Sequence, residues 1–170
     1  MRKKLYLKLI EWLTSSGIVK HVDLWNENLQ YIEDEQSWEC PAVFVEFMPI
    51  QWQSLPHGVQ EATINFRLHI VTRALEPTSA QSITVQAEGE PEANNQYLNA
   101  GLEYLDLLEQ INALIHCQRA EEDGINTITR TQSVSNHNHE EMIESIEDYS
   151  VHIIDGSAYN GGEIISISTT

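Results

Sequence analysis

The sequence predicts an α+β fold: one domain over residues 1–170, in which a mainly antiparallel β-sheet packs against a long helix and an N-terminal helix. Three patterns predict it: strict alternation of apolar and polar residues over 62–70, and apolar stripes at helical spacing over 3–16 and 96–118. A chain of 170 residues is long enough for one sizeable core and too short for two comfortable ones.

The alternating segment is the centre of the predicted sheet. Its apolar positions are Ala62, Ile64, Phe66, Leu68 and Ile70, and its polar positions are Thr63, Asn65, Arg67 and His69. Period-two alternation is typical of a strand with one face on a core and the other facing water or a partner. We therefore predict a strand over 62–74 whose apolar side lies under the long helix.

Two helices are predicted from apolar residues at three- and four-residue steps. The first, 3–16, has Leu5, Leu9, Trp12 and Leu13 in its stripe and a stop at Ser15–Gly17. The second, 96–118, has Leu98, Leu102, Leu105, Leu108, Ile111 and Ile115. A helix this long with so broad an apolar face is expected to lie across the sheet and form much of the core.

The remaining segments are predicted as strands and connections. Further strands are expected at 42–48, 125–135, 148–158 and, as an edge strand, 163–169. The 42–48 strand, which begins after Pro41, is expected to pair antiparallel with 62–74. Residues 18–32 indicate a short strand or an irregular segment, and 135–148 a polar connection with a possible helical turn.

Residues 76–96 differ in composition from the rest of the chain. They contain four Glu, no Lys or Arg, and two Pro. Loops of this length inside a compact domain are uncommon. Two interpretations stay open: an arm that orders against a neighbouring subunit, or a flexible acidic insertion.

The charge of the chain is strongly acidic and unevenly distributed. The net charge is −17, yet Arg2, Lys3, Lys4 and Lys8 make the first eight residues basic. The rest of the chain has five bases against 26 acids, a net charge of −21. Such a body repels phosphate and is not expected to bind nucleic acid by charge neutralisation. The basic tip is either a solvated helix start or a contact for an acidic partner.

Cysteine content and hydropathy set the expected compartment. Cys40 and Cys117 are the only cysteines, too few for a disulfide framework or a four-cysteine zinc site, so a reducing intracellular environment is expected. The apolar residues near the N-terminus are interrupted by Lys8 and Glu11, which argues against a secretory signal. No apolar run approaches eighteen residues, so no membrane span is predicted.

For each group of residues that could form a metal or catalytic site, a structural interpretation is favoured over the functional one. His137, His139, Glu140 and Glu141 match no zinc spacing and are expected to be a solvated connection. His116 and Cys117, neighbours on a helix, point about 100° apart, so core burial or capping is favoured over a nucleophile–base pair. The acidic run Glu140, Glu141, Glu144, Glu147 and Asp148 would share one helical face, and a solvated face is favoured over a cation site. No cofactor, metal site or catalytic residue is predicted.

The order of the elements resembles that of the tail terminator (tail completion) proteins of long-tailed bacteriophages and related small head–tail connection proteins. The resemblance covers about residues 3–158. It lies in the opening helix ending near Trp12-Leu13, the Pro41-to-Phe47 strand, the Phe66-to-Ile70 strand, the Tyr97–Leu114 helix and the Tyr149-to-Ile153 strand. It is a pattern of elements and includes no signature residues.

The resemblance implies a structural virion protein rather than an enzyme. It implies a homo-oligomeric ring, usually six-fold, that caps the tail tube and joins it to the head after assembly in the host cytoplasm. The implied partners are other copies of the chain, the tube protein and a head-side connector, with DNA passing through unbound. The predicted subunit contacts are Arg67, His69, Arg73, Glu88 and Glu90. Arg67 and Arg73 are expected to pair with carboxylates, within the chain or across a subunit boundary, with the intrachain pair favoured.

Two alternatives remain open at this point. One is a cellular adaptor or binding domain of the same fold class that forms no ring. The other is a metal-dependent hydrolase that uses His137, His139 and the nearby glutamates.

Overall fold

The computed structural model of the chain describes residues 1–26, 38–73, 92–136 and 142–159, with only the backbone described for 92–100. These residues form an α+β domain, as predicted. The helices are α1 (Arg2–Thr14) and α2 (Glu92–Ile115). The strands are β1 (His21–Leu24), β2 (Ala42–Phe47), β3 (Gln53–Ser54), β4 (Gln60–Arg73), β5 (Thr129–Asn136) and β6 (Met142–Asp155). Short 3-10 turns lie at Pro56–Gly58 and Glu121–Asp123.

The described strands form one mixed sheet in the order β1-β2-β4-β6-β5, with β3 pairing on β4. Only the β1–β2 pair is parallel, so the predicted antiparallel character is confirmed. The predicted pairing of β2 with β4 is also confirmed, from Ala42↔Val71 to Phe47↔Phe66. β4 and β6 pair along their whole length, from Gln60↔Asp155 to Arg73↔Met142. These two long strands are the middle of the sheet.

The main core lies between the sheet and the two helices. The predicted apolar side of β4 is buried, with Ile64, Phe66, Leu68 and Ile70 all fully shielded from solvent. Phe66 stacks on Tyr149 of the adjacent β6, with ring centroids 5.5 Å apart. The core is completed by the buried side of α1 (Leu5, Leu9 and Leu13), by Ile111 and Ile115 of α2, and by Val151 and Ile153.

The long helix differs from the prediction in extent and in burial. It begins at Glu92, so the end of the predicted 76–96 insertion is helical, and residues 76–91 lie outside the described part. Ile111 and Ile115 are buried, but Leu102 and Leu105 are 48% and 54% exposed. Each three-residue step falls about 60° short of a full turn. The stripe from Leu102 to Ile111 therefore rotates halfway round the helix, and its first part faces away from the sheet.

The secondary structure of residues 135–148 also differs from the prediction. It was expected to be a polar connection with a helical turn, but β5 runs to Asn136 and β6 begins at Met142. Glu144 and Glu147 therefore lie on opposite faces of a strand, and both are buried, at 3% and 2% exposure. The predicted solvated helical face is wrong because both carboxylates have polar partners inside the fold. The first of the later strands also starts at Thr129, after the buried Ile125 and Ile128.

The end of α1 and the position of β1 agree with the sequence prediction. α1 ends before Gly17, whose φ of 72° is the left-handed conformation that commonly follows a helix. The segment 18–32 contains the short strand β1, and the edge strand expected at 163–169 lies outside the described residues. Among the residues described, no helix is long and apolar enough to cross a membrane.

Candidate functional site

The face of the sheet that points away from the helices carries a cluster of charged side chains. We call this set the charged face: Glu46 of β2, Arg67 and His69 of β4, and Glu144 and Asp148 of β6. The register of the three central strands brings them together, since Arg67 lies opposite both Glu46 and Asp148. Two of its members, Arg67 and His69, are among the predicted contact residues.

Arg67 forms the ion pair that the sequence favoured. Its Nε donates to Asp148 Oδ1 at 2.8 Å, and a terminal nitrogen donates to Oδ2 at 3.3 Å. Glu46 lies 3.7 Å away on the other side. The hydrogen bond to Asp148 is the main cause that raises the pKa of Arg67. The expected pairing with a carboxylate is thus made within the chain, and it fixes the guanidinium on the face of the sheet.

His69 is buried, at 4% exposure, and both of its ring nitrogens face carboxylates of the same chain. Nδ1 lies 2.5 Å from Glu144 Oε1, and Nε2 lies 3.2 Å from Glu46 Oε2. The second oxygen of Glu144 accepts a hydrogen bond from Asn136 at 2.7 Å. A neutral imidazole has only one N–H, so this arrangement is fully hydrogen-bonded when the ring carries both protons. Burial inside the chain leaves His69 little surface for the subunit contact expected of it.

Aromatic residues cover the His69 end of this face. Trp25 stacks on the His69 ring, with centroids 3.7 Å apart and planes 4° apart. Beside it lies a second, smaller core of Ala42, Phe44, Val71 and Met142, against which Trp25, Trp38 and Cys40 pack. Burial raises the pKa of the Cys40 thiol. This core was not predicted from the sequence, although Phe44 and Val71 depart from simple alternation and could have indicated strands buried on both sides.

The other end of the charged face is open. A recess of about 530 Å³ adjoins the Arg67–Asp148 pair. Its wall includes Met48, Pro49, Asn65, Thr131 and Ser150. Thr63 and Asn65, on the same side of β4, are exposed. This end combines an open surface with a fixed ion pair, an arrangement suited to a polar protein contact.

The remaining predicted site residues are not gathered here. Arg73 is exposed at the end of β4, while Glu88 and Glu90 lie outside the described residues, as do 137–141 with the His and Glu pairs. Within the described ranges, no three His, Cys, Asp or Glu side chains are grouped to hold a metal ion.

The core burial expected for His116 and Cys117 is wrong, because both are exposed just after the end of α2. Instead, they connect the end of α2 to the segment that enters β5. The Cys117 N–H donates to the Ile128 carbonyl at 2.9 Å, and His116 Nδ1 accepts from the Arg130 N–H at 3.2 Å. Cys117 adopts a φ of 65°, so the backbone turns away from the helix there.

A second polar cluster, also missed by the sequence analysis, lies on the helix side of the sheet. The Glu147 carboxylate accepts from Ser133 at 2.5 Å and from Arg130 at 3.3 Å. Nearby, the Tyr149 hydroxyl donates to Asn112 of α2 at 3.2 Å. Burial is the main cause that raises the pKa of Tyr149, and the negative charge of Glu147 adds to it. Burial likewise raises the pKa of Tyr104, on α2.

Comparison of the chain with profiles of known protein families gives no match, and comparison with curated proteins gives none either. The fold and the surfaces described above are the features that bear on function. Those surfaces offer positioned charges, a recess and an open strand face. Such features are used in contacts between proteins.

Proposed function

We propose that this chain is a structural subunit of a tail terminator ring, which caps the tail tube of a long-tailed phage and joins it to the head. The observation that supports the proposal is the order of the elements along the chain, α1-β2-β4-α2-β6, which is the order on which the family resemblance rests. In this proposal the protein is a component of the virion and acts through its contacts with other proteins, without catalysis.

The open end of the charged face is the proposed contact with a neighbouring subunit. Arg67 is held in place by Asp148, so its exposed edge meets a partner without a further loss of side-chain freedom. Arg73, exposed at the opposite end of β4, is a second proposed contact and can meet a carboxylate of the neighbour. Glu88 and Glu90 are its proposed partners. Contacts of this head-to-tail kind close into rings when the rotation between subunits allows.

The acidic charge of the chain also supports the proposal. A ring of subunits that each carry a net charge of −17 would surround its channel with negative potential. Passing DNA would be repelled from the wall and slide without sticking. The expected result is negligible retention of duplex DNA at low salt, and tight, salt-sensitive retention would contradict this part of the proposal.

The decisive experiment is reconstitution with tail tubes. Purified chain is mixed with tubes assembled from the tube protein encoded beside it, and the tube ends are imaged by negative-stain electron microscopy. We expect rings at one end of the tubes, and we expect Arg73→Glu to reduce ring formation while the exposed Lys20→Glu does not. Bare tube ends, or neighbouring genes that encode no tube, tape-measure or portal protein, would overturn the proposal.

A further inference from the structure

The outer surfaces of the two helices carry opposite charges. α1 contains four of the nine basic residues of the chain, Arg2, Lys3, Lys4 and Lys8. α2 contains no Lys or Arg over its 24 residues and has Glu92, Glu103, Asp106 and Glu109. In a chain of net charge −17, this concentration of positive charge on one short helix is a marked departure from the average.

Both helices also expose large apolar side chains beside those charges. Leu7 of α1 is 53% exposed, with Lys3 and Lys4 exposed on the same side of the helix. Lys4 Nζ lies 3.3 Å from Asp123 Oδ1 of the same chain, and the Lys4 side chain is still 59% exposed. Leu102 and Leu105 of α2 are 48% and 54% exposed, with Asp106 and Glu109 exposed next to them. We call these sets the basic patch (Lys3, Lys4 and Leu7) and the acidic patch (Leu102, Leu105, Asp106 and Glu109). Each combines an apolar centre with charges of a single sign, which is the composition of a contact surface.

The position of the patches in the fold restricts what can cover them. Buried residues of both helices pack on the same side of the sheet, Leu5, Leu9 and Leu13 from α1 and Ile111 and Ile115 from α2. Both patches therefore belong to one helical layer and face away from the sheet. A single neighbour with the opposite arrangement of charges could cover both patches at once. A second copy of this chain, related by a two-fold axis, has that arrangement, since its basic patch meets the acidic patch of the first copy and the reverse.

We propose that two copies of this chain dock through their helical layers, basic patch on acidic patch, in a closed two-fold pair. The contact uses neither the charged face of the sheet nor Arg73, so it is separate from the ring contact proposed above. In a ring of such subunits it would join two rings through their helical sides.

The test uses charge reversal in the full chain, with the molecular mass followed by sedimentation velocity. The basic-patch variant is Lys3→Glu, because reversing Lys4 would also break its ion pair with Asp123 within the chain, and the acidic-patch variant is Asp106→Lys with Glu109→Lys. Each alone places like charges opposite each other, and we expect its dimer dissociation constant to rise by at least about tenfold. An equimolar mixture of the two variants restores complementary charges at both contacts, so it is expected to form a heterodimer.

Matched controls separate this contact from a general effect of charge. Lys20→Glu and Glu39→Lys reverse exposed charges outside the patches and are expected to leave the dimer unchanged. Leu7→Ser is expected to weaken the dimer, whereas Val134→Ser, at a similarly exposed residue of β5, is not. Circular dichroism confirms that each variant is folded.

Three outcomes would overturn the pair: a wild-type chain that stays monomeric at high concentration, single-patch variants that dimerise as well as the wild type, or a mixture that fails to associate. Each leaves tube capping to be judged by the reconstitution experiment. If the protein caps tubes but does not pair through its helices, only the proposed helical contact is contradicted. If the protein pairs through its helices but does not cap tubes, only the proposed function is contradicted.

Discussion

The imidazole of His69 lies flat against the indole of Trp25, with ring centroids 3.7 Å apart. The Trp25 backbone is held in place by β2, since its N–H donates to the Val45 carbonyl at 2.9 Å. The edge of the same ring faces two carboxylates, Glu144 at Nδ1 and Glu46 at Nε2. A polar ring is thus enclosed between an aromatic surface and two acids near the middle of the sheet.

The His69–Glu144 contact is expected to be strongly coupled in stability. His69→Phe removes one of the partners of the Glu144 carboxylate, which is 3% exposed, and we expect the free energy of unfolding to fall by about 3–5 kcal/mol. Adding Glu144→Gln removes the buried charge and should recover a large part of that loss. Urea denaturation of the two single variants and the double variant measures the coupling.

His152→Phe is the control for this cycle. His152 also faces a carboxylate, Glu61 at 3.4 Å, but its side chain is 42% exposed. Water screens such a pair, so the loss should stay within about 1 kcal/mol. Strictly additive effects of His69→Phe and Glu144→Gln would show that the two side chains do not act as a buried pair.

The core under the helices is expected to depend on Phe66. The side chain is fully buried and stacks on Tyr149, so Phe66→Ala leaves a cavity and should cost about 3–5 kcal/mol. Thermal unfolding followed by circular dichroism measures the change. Asn65→Ala, at the neighbouring exposed position, should leave the melting temperature nearly unchanged. An unaltered melting temperature for Phe66→Ala would place that ring outside the core.

Stability is expected to fall at alkaline pH through Tyr149. Burial raises the pKa of Tyr149 well above the ordinary value of 10.0, so the folded chain keeps its proton where the unfolded chain loses it. The unfolded state then binds fewer protons, and the free energy of unfolding decreases as the pH rises above that ordinary value. At pH values below the ordinary pKa of tyrosine, the stabilisation from Tyr149 is fully present. Chemical denaturation at a series of pH values gives the slope.

Tyr149→Phe separates this ionisation from other alkaline effects. The variant loses the hydrogen bond to Asn112, about 1 kcal/mol at neutral pH, and its stability should depend less steeply on alkaline pH. Tyr159→Phe, at a residue 48% exposed, is the comparison. Equal alkaline slopes for wild type and Tyr149→Phe would contradict the assignment.

Local sequence patterns were sufficient where one face of an element is apolar and the other is polar. The strand centred on Phe66 and the helix with Leu5, Leu9 and Leu13 follow directly, because burial of one face imposes its period on the sequence. The pairing of Arg67 with a carboxylate was also predicted. That prediction needed only two facts from the sequence: the chain is acidic, and Arg67 is one of its few basic residues and lies on a predicted strand.

The patterns failed where polar residues are buried. Glu144 and Glu147 made the start of β6 resemble a solvated segment, because sequence shows a charge without showing its partners. Those partners, His69 for one and Arg130 for the other, are distant along the chain and are brought close only by strand register. The prediction that the whole apolar stripe of α2 is buried was wrong for a different reason. The stripe's repeated three-residue steps turned Leu102 and Leu105 away from the sheet, which only the packed helix reveals.

The sequence by itself determined the fold class, the central strand and the separation of a basic tip from an acidic body, because each depends on residue type and local period. Only the tertiary structure decided which charges are buried together and which apolar residues remain exposed. Both depend on contacts between segments far apart in the chain. The Trp25–His69 stack is of this kind: its two rings come from different parts of the sequence and meet across β2.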